Sequence, residues 1–287
     1  MQRTHELFAQ PRMELPRGGV GIAGLSNFGR YNYTRARAGL APHAHPGAIE
    51  ICYLVKGRQT YHVGGRDYRL RGGDVFVTFP GESHSTGGAP EEKGVLYWLI
   101  LRLPRRAASG FLGLAPGAAQ PLAGALRQLP ARHFRGTPAM QSLLDEILVA
   151  GHQPRSPLRA TRIANRLTTF LLLVAARADA RATMPADRGL APVLEHIAAN
   201  LETPPTVPEL ARLAGLSVSR FQMRFRQETG VPPREYVQRA RIDEARCRLQ
   251  VAGARVTDVA FALGFASSQY FATVYRRFTG KSPGRRR

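Results

Sequence analysis

The stretches TVPELARLAGLSVSRFQMRFRQETG (206–230) and VTDVAFALGFASSQYFATVYRRFTG (256–280) repeat one pattern of caps, apolar spacing and glycine. In the first, Thr206 suits a helix N-cap, and Pro208 and Glu209 fall in the opening turn, where helix starts favour them. Leu210, Ala211, Leu213 and Ala214 supply an apolar side. Gly215 ends the helix, since glycine takes up positive φ at little cost. Ser217 then caps a second helix whose Phe221 and Phe225 point inward. At about 100° per residue, the opposite face carries Ser219, Met223, Arg226 and Gln227, with Arg220 and Gln222 beside it. Helix, tight glycine turn, helix is the helix-turn-helix pattern. A face mixing amide, guanidinium and apolar groups suits the edges of bases in a major groove.

The second stretch predicts the same unit again, with Thr257 as cap, an apolar helix through Leu263, a stop at Gly264 and Ser267 capping the next helix. There Phe271, Tyr275 and Phe278 face inward and Gln269, Thr273, Arg276 and Arg277 outward, with Tyr270 and Ala272 on the flanks. Between the units, a helix from about Pro233 to Gln250 would bury Tyr236, Ile242, Ala245 and Leu249. Such a spacer can hold two reading helices one DNA turn apart, roughly 34 Å.

The segments LARLAGLSVSRFQMRFRQETGVPPREYVQRARIDEARCRL and VTDVAFALGFASSQYFATVYRRFTGKSP make residues 190–283 similar to the DNA-binding domain of the AraC/XylS family. The resemblance implies that the second helix of each unit enters the major groove. Ser219, Arg220, Gln222, Met223 and Arg226 would then serve the first site, and Ser268, Gln269, Ala272, Thr273 and Arg276 the second. Met223 departs from the basic residues common at its position in the family. The final PGRRR stands where the family usually has Tyr-Arg, and reads as extra phosphate contacts or a basic tail.

Upstream, residues 20–104 are rich in glycine and in short apolar runs: EICYLV (50–55), QTYHV (59–63), DYRL (67–70), DVFVTF (74–79) and VLYWLIL (95–101). Short strands with turns every eight to twelve residues indicate an all-β sandwich or barrel. From about 116 to 180 the spacing turns helical. AMQSLLDEILVAG (139–151) is one helix. A longer one over 157–179, with Pro157 in its first turn, places Ile163, Leu167, Phe170, Leu171 and Val174 on one stripe. That stripe must be buried, against the β-domain or against a second subunit. ARATMPADRG (180–189) reads as a linker. The expected architecture is thus multidomain: a cupin-like barrel over 15–104, a helical dimerisation or linking region over 105–180, and an all-α DNA-binding domain over 189–287.

HAHPGAIEICYLVKG (43–57) sets His43 and His45 two apart, on one side of an extended strand, ahead of Glu50. Two imidazoles and a carboxylate converging inside a barrel can bind a divalent cation. GGDVFVTFPGESH (72–84) adds His84 after a Pro-Gly turn. Together these segments resemble the two motifs of the cupin barrel, and the resemblance implies His43, His45, Glu50 and His84 as metal or ligand contacts. Tyr53, Tyr61, Phe76, Tyr97 and Trp98 read first as core and otherwise as rings that stack on a sugar or similar effector, with Tyr61 and Trp98 the named ligand candidates.

The 41 basic residues against 20 acidic ones leave a formal charge of +21, which favours a polyanionic partner. All but Lys56, Lys93 and Lys281 of the basic residues are Arg, whose planar fork suits phosphate and guanine. Cys52 and Cys247 suggest neither a disulfide framework nor a thiolate site. MQRTHELFAQ has no signal-peptide core, and FLLLVAA (170–176) is too short to span a bilayer, so a cytoplasmic location is expected. The resemblance implies a transcription regulator, not an enzyme: an activator controlled by a small molecule such as a sugar, a homodimer on double-stranded promoter DNA, working through RNA polymerase and away from membranes. A metal-dependent cupin enzyme fused to a DNA-binding module is the alternative.

Overall fold

The computed structural model describes residues 2–15, 20–104, 111–154, 156–183 and 190–284. The final three arginines and residues 184–189 of the expected linker lie outside these. The chain divides into two compact units. The first takes in most of residues 1–185, so the barrel and the helical region after it form one body; the second comprises residues 186–287 with the short segments 34–38 and 90–93.

The first unit begins with α1 (Gln2–Ala9) and β1 (Arg12–Glu14), followed by β2 (Leu25–Tyr33), β3 (Ala48–Val63), β4 (Arg66–Arg71), β5 (Asp74–Thr78), β6 (His84–Ser85) and β7 (Gly94–Arg102). Then come α2 (Pro116–Arg127), β8 (His133–Arg135), α3 (Pro138–His152) and α4 (Arg159–Thr183). All named strand pairings are antiparallel, in the order β1-β2-β7-β3-β5-β8, with β4 and β6 also on β3.

The runs EICYLV and QTYHV, expected as separate strands, form one strand, β3. A register shift against β7 between Leu54 and Lys56 lets the strand change direction at the Lys56–Gly57 step instead of turning back. Its first half pairs with β5 and β7, and its second half with β4 and β6. The extended β8, inside the region read as helical, completes the sheet through Val75–Phe134 pairing.

Both faces of this sheet are buried. One face sends Ile49, Ile51, Tyr53, Tyr97, Leu99 and Leu101 into a core shared with the helices. The other sends Cys52, Leu54, Tyr61, Phe76, Leu96 and Trp98 into an inner core. The period-two alternation therefore sorts residues between two cores and not between core and solvent, which is why VLYWLIL is apolar throughout. Tyr53 and Tyr97 consequently lie on the helix-covered face: the Tyr53 hydroxyl donates to the Thr137 carbonyl at 3.1 Å, and that of Tyr97 to Asp145.

The stripe Ile163, Leu167, Phe170, Leu171 and Val174 of α4 is entirely buried in the first of these cores, so the β-domain and not a second subunit covers it. Pro157 sits in the turn before α4, not in its first turn, and the helix runs to Thr183, into the expected linker.

The second unit is α5 (Ala191–Ala199), α6 (Val207–Leu213), α7 (Val218–Thr229), α8 (Pro233–Arg248), α9 (Val256–Ala262) and α10 (Ser268–Thr279). Thr206 caps α6 in a reciprocal capping box with Glu209, and Ser217 and Ser267 cap α7 and α10. Thr257 does not cap α9; the helix starts one residue earlier, placing Thr257 in its first turn and leaving Arg255 at the N-cap with no side-chain bond. The spacer α8 ends at Arg248, two residues before the expected Gln250.

Both first helices stop by the same device. Leu216 N–H reaches the Ala211 carbonyl and Gly215 N–H that of Arg212; Phe265 and Gly264 do the same to Ala260 and Phe261. These are Schellman closures, with glycine at positive φ followed by an apolar residue that packs back. The turn after Gly264 is one residue longer, Phe265–Ala266 standing where the first unit has Leu216 alone before its capping serine.

The two glycines differ in surroundings. A Cβ on Gly215 (φ +66°) would meet open space, whereas one on Gly264 (φ +67°) would lie 2.5 Å from both Arg241 Nη2 and the Glu202 carbonyl. Gly215→Ala should cost about 1–2 kcal/mol for the left-handed backbone alone. Gly264→Ala adds a steric penalty of about 1–3 kcal/mol. Chemical denaturation of the two variants checks the order; equal losses would contradict it.

Candidate functional site

In the second unit α8 serves two cores. Val237 belongs to the cluster of Leu190, Val193, Ile197, Leu210, Phe221 and Phe225, while Ile242 and Ala245 belong to that of Val259, Leu263, Phe265, Phe271, Val274 and Phe278. Tyr236 and Leu249 are only partly buried, and so is Tyr275; on α10 the buried residue sequence reasoning missed is Val274. Each core fixes one short helix: α7 through Phe221 and Phe225, α10 through Phe271, Val274 and Phe278. Glu228 adds a polar tie, accepting from Arg224 at 2.7 Å and from the Leu190 backbone N–H at 3.1 Å.

The capping serines set the alignment of the two helices, fifty positions apart. Both end alike. Thr229 Oγ1 meets the Phe225 and Val231 carbonyls at 2.7 and 2.9 Å, and Thr279 Oγ1 those of Tyr275 and Lys281 at 2.8 and 2.9 Å. Gly230 and Gly280 then close them at φ 77° and 75°.

With the ends matched, Ser219, Gln222, Met223 and Arg226 on α7 correspond to Gln269, Ala272, Thr273 and Arg276 on α10. Within each set the spacing is i, i+3, i+4 and i+7, a single helix face. All four on α7 are exposed, as is Arg220; on α10, Gln269, Thr273 and Arg276 are exposed and Ala272 partly so. Ser268 is partly buried in the first turn of α10, at the position equivalent to Val218 of α7. Both faces end in an exposed arginine, a donor for phosphate or guanine.

In the first unit the structure brings together the four residues the sequence singled out. One donor atom from each of His43, His45, Glu50 and His84 falls within 4.8 Å of the others. His43 and His45 are not on a regular strand: His43 forms an isolated bridge with His84, each backbone N–H meeting the other's carbonyl (3.0 and 2.9 Å), and His45 sits in the loop entering β3. That bridge replaces strand periodicity as the positioning device.

Backbone carbonyls orient two of the rings. His43 Nδ1 lies 2.9 Å from the Ala41 carbonyl and His84 Nδ1 3.3 Å from that of Glu82, which leaves Nε2 of each as the inward nitrogen. His45 Nε2 and His84 Nε2 lie 3.4 and 2.7 Å from Glu50 Oε2, yet neither meets it with hydrogen-bond geometry. Buried nitrogens grouped about a carboxylate without proper bonds to it are the arrangement a shared cation satisfies. Three imidazoles and one carboxylate suit a divalent transition ion better than calcium or magnesium.

Burial alone would raise the Glu50 carboxyl, but His45 and His84 outweigh it and hold the pKa at about 2. Burial likewise works against a charged His84, and Glu50 overcomes it, raising His84 above its ordinary 6.5. Tyr61 and Trp98 both lie in the inner core; Tyr61 stacks on Phe76 and its hydroxyl lies 3.3 Å from Cys52 Sγ, while Arg12 stacks over Trp98. Cys52 Sγ also lies 3.9 Å from Glu50 Oε1, two residues back on the same face of β3.

Comparison with known proteins supports both halves. Residues 30–168 match the AraC-like ligand binding domain, and residues 210–287 match a helix-turn-helix domain. The two matches, together with the relatives, support an AraC-type transcription regulator. It is a DNA-binding regulator with a ligand-binding N-terminal domain. It is 24% identical over 251 residues to the HTH-type transcriptional activator RhaR of Shigella dysenteriae, and 25% identical over 254 residues to that of Escherichia coli K12. Each match covers 85% of this chain and 85% of the relative. Among solved structures, the DNA-binding domain of AdpA in complex with a target DNA is 32% identical, covering 33% of this chain and 86% of that one, at a TM-score of 0.32. ToxT of Vibrio cholerae is 13% identical, covering 89% of this chain and 95% of that one, at 0.34. These superpositions are too loose to bear on the geometry. Among the described residues no helix is long and apolar enough to cross a membrane.

The mutual dependence of Glu50 and His84 fixes a pH prediction for the metal-free protein. Stability from the lowered Glu50 is present above its ordinary pKa of 4.5 and is lost as pH falls towards about 2. Stability from the raised His84 is present below 6.5 and is lost as pH rises through the folded value. Glu50→Gln removes the partner, so the His84 pKa should fall, read by NMR titration of the imidazole. An unchanged His84 would show that the carboxylate does not control it.

Proposed function

We propose that this chain is an effector-controlled transcription activator that reads promoter DNA through α7 and α10. The observation that carries the reading is the duplicated, outward-facing set on these helices: Ser219, Gln222, Met223 and Arg226, and Gln269, Ala272, Thr273 and Arg276. Arg220 flanks the first set, and Ser268 opens the second. The similarity to the RhaR activators supports activation, and RNA polymerase is the partner through which an activator on promoter DNA would act. The chain acts in the cytoplasm as a homodimer, with two chains on adjacent sites. Because the apolar stripe of α4 is already buried within its own unit, the dimer contact uses other surface, such as the exposed Leu158 and Leu172.

The effector belongs to the first unit. His43, His45, Glu50 and His84 would hold a divalent cation, which supplies a Lewis-acidic point for ligand oxygens. A polyhydroxylated molecule such as a sugar suits that point, while Tyr61 and Trp98, packed in the inner core, support the site from within. The effector must bind one arrangement of the dimer better than another, since only a differential affinity shifts an equilibrium.

Gln269→Ala should cost about 1–3 kcal/mol at the specific site and relax base choice there. Affinity for any duplex should fall steeply with salt as Arg226 and Arg276 displace counterions. Uniform loss over random DNA would make Gln269 a backbone contact. Calorimetric titration of metal-depleted protein with Zn²⁺ should give one equivalent per chain, abolished by His84→Ala and in the doubly substituted His43→Ala/His45→Ala protein. Unchanged binding in either variant would place the ion elsewhere.

A further inference from the structure

The reading faces of α7 and α10 are alike in one unexpected respect. Met223 is 59% exposed, a large apolar side chain left in water on a face otherwise made of Ser219, Gln222 and Arg226. Its counterpart is Thr273, whose hydroxyl is already engaged, donating to the Gln269 carbonyl one turn back at 3.0 Å. With its proton committed, Thr273 offers a partner its γ-methyl and an acceptor oxygen, but no donor. At the same position of both helices, with a polar or small neighbour before it and an arginine after it, an apolar group faces outward.

A base pair presents only one apolar group in the major groove, the C5-methyl of thymine. We infer that Met223 and Thr273 are specificity-determining residues that contact a thymine methyl at equivalent steps of the two half-sites. The inference rests on the proposal that α7 and α10 read DNA, and adds which base each position selects. The neighbouring positions make the half-sites differ: Gln222 can pair its amide with a base edge, whereas Ala272 cannot. The operator is accordingly two related but unequal half-sites that share a thymine. Arg226 and Arg276 anchor both helices irrespective of this step.

The test uses the full-length protein and DNA selected by it from a randomised duplex pool. Each thymine of the selected sequence is replaced singly by deoxyuridine, which removes the methyl and keeps every hydrogen-bonding group. One such replacement in each half-site should weaken binding about fourfold, the worth of one buried methyl group. In one half-site the effect should vanish for Met223→Ala, and in the other for Thr273→Ser, while Thr273→Val, which keeps a methyl, should retain it. Met223 and Thr273 are both exposed, so an unchanged melting temperature separates lost contact from lost fold. If no deoxyuridine position couples to Met223 or Thr273 although a sequence is selected, the inference is overturned and DNA reading stands. If no sequence is selected at all, the DNA-reading proposal fails and takes the inference with it.

Discussion

The DNA-binding unit depends on one constraint: α8 is a single hydrogen-bonded rod with its two ends in different hydrophobic cores. Val237 anchors it to the first helix-turn-helix unit, and Ile242 and Ala245 to the second. Neither unit is large enough to bury much apolar surface alone, so each borrows a face of the same helix. A short helix such as α7 or α10 has little stability of its own. Its outward residues can be chosen freely for DNA only because its inward aromatic residues are held by this shared element. The repeated end structures, from capping serine through threonine to glycine, fix where each helix starts and stops and thus which side chains face out.

The sensor unit solves a different problem. Its sheet carries apolar residues on both faces, which leaves one inner core among strands and one outer core beneath α2, α3 and α4. The polar cluster of His43, His45, Glu50 and His84 is placed where the segment entering β3 bridges to His84 of β6, which pairs with the other end of β3. Buried charge is costly unless partnered, and here the carboxylate and the imidazoles supply the partnership for one another. The same closeness gives a cation three nitrogens and an oxygen without large rearrangement. Chemistry and stability therefore meet in one cluster, and changes at Glu50 are felt by His84.

The outward faces of α7 and α10 were legible because helix periodicity is strict: caps and glycines marked the ends, and the aromatic pairs marked the inside. The cluster was legible as a set of residue types, but not as a geometry. Nothing in the spacing of His43 and His84 says that their backbones bridge, or that Ala41 and Glu82 orient their rings. The β-region was misjudged where one strand was read as two, because Lys56–Gly57 resembles a turn as well as a bulge. Alternation alone does not tell which of two buried faces a residue occupies, so packing decided that Tyr53 and Tyr97 face the helices while Tyr61 and Trp98 face the inner core.

Local chemistry along the chain thus determined the helix ends, the outward faces of α7 and α10 and the kinds of donors available, since each depends on residues within a turn or two of one another. Tertiary structure alone decided that the stripe of α4 serves the β-domain, that β8 joins the sheet, and that His84 meets His43 beside Glu50. Those outcomes join residues far apart in sequence, and which apolar surface covers another is settled by packing, not by pattern.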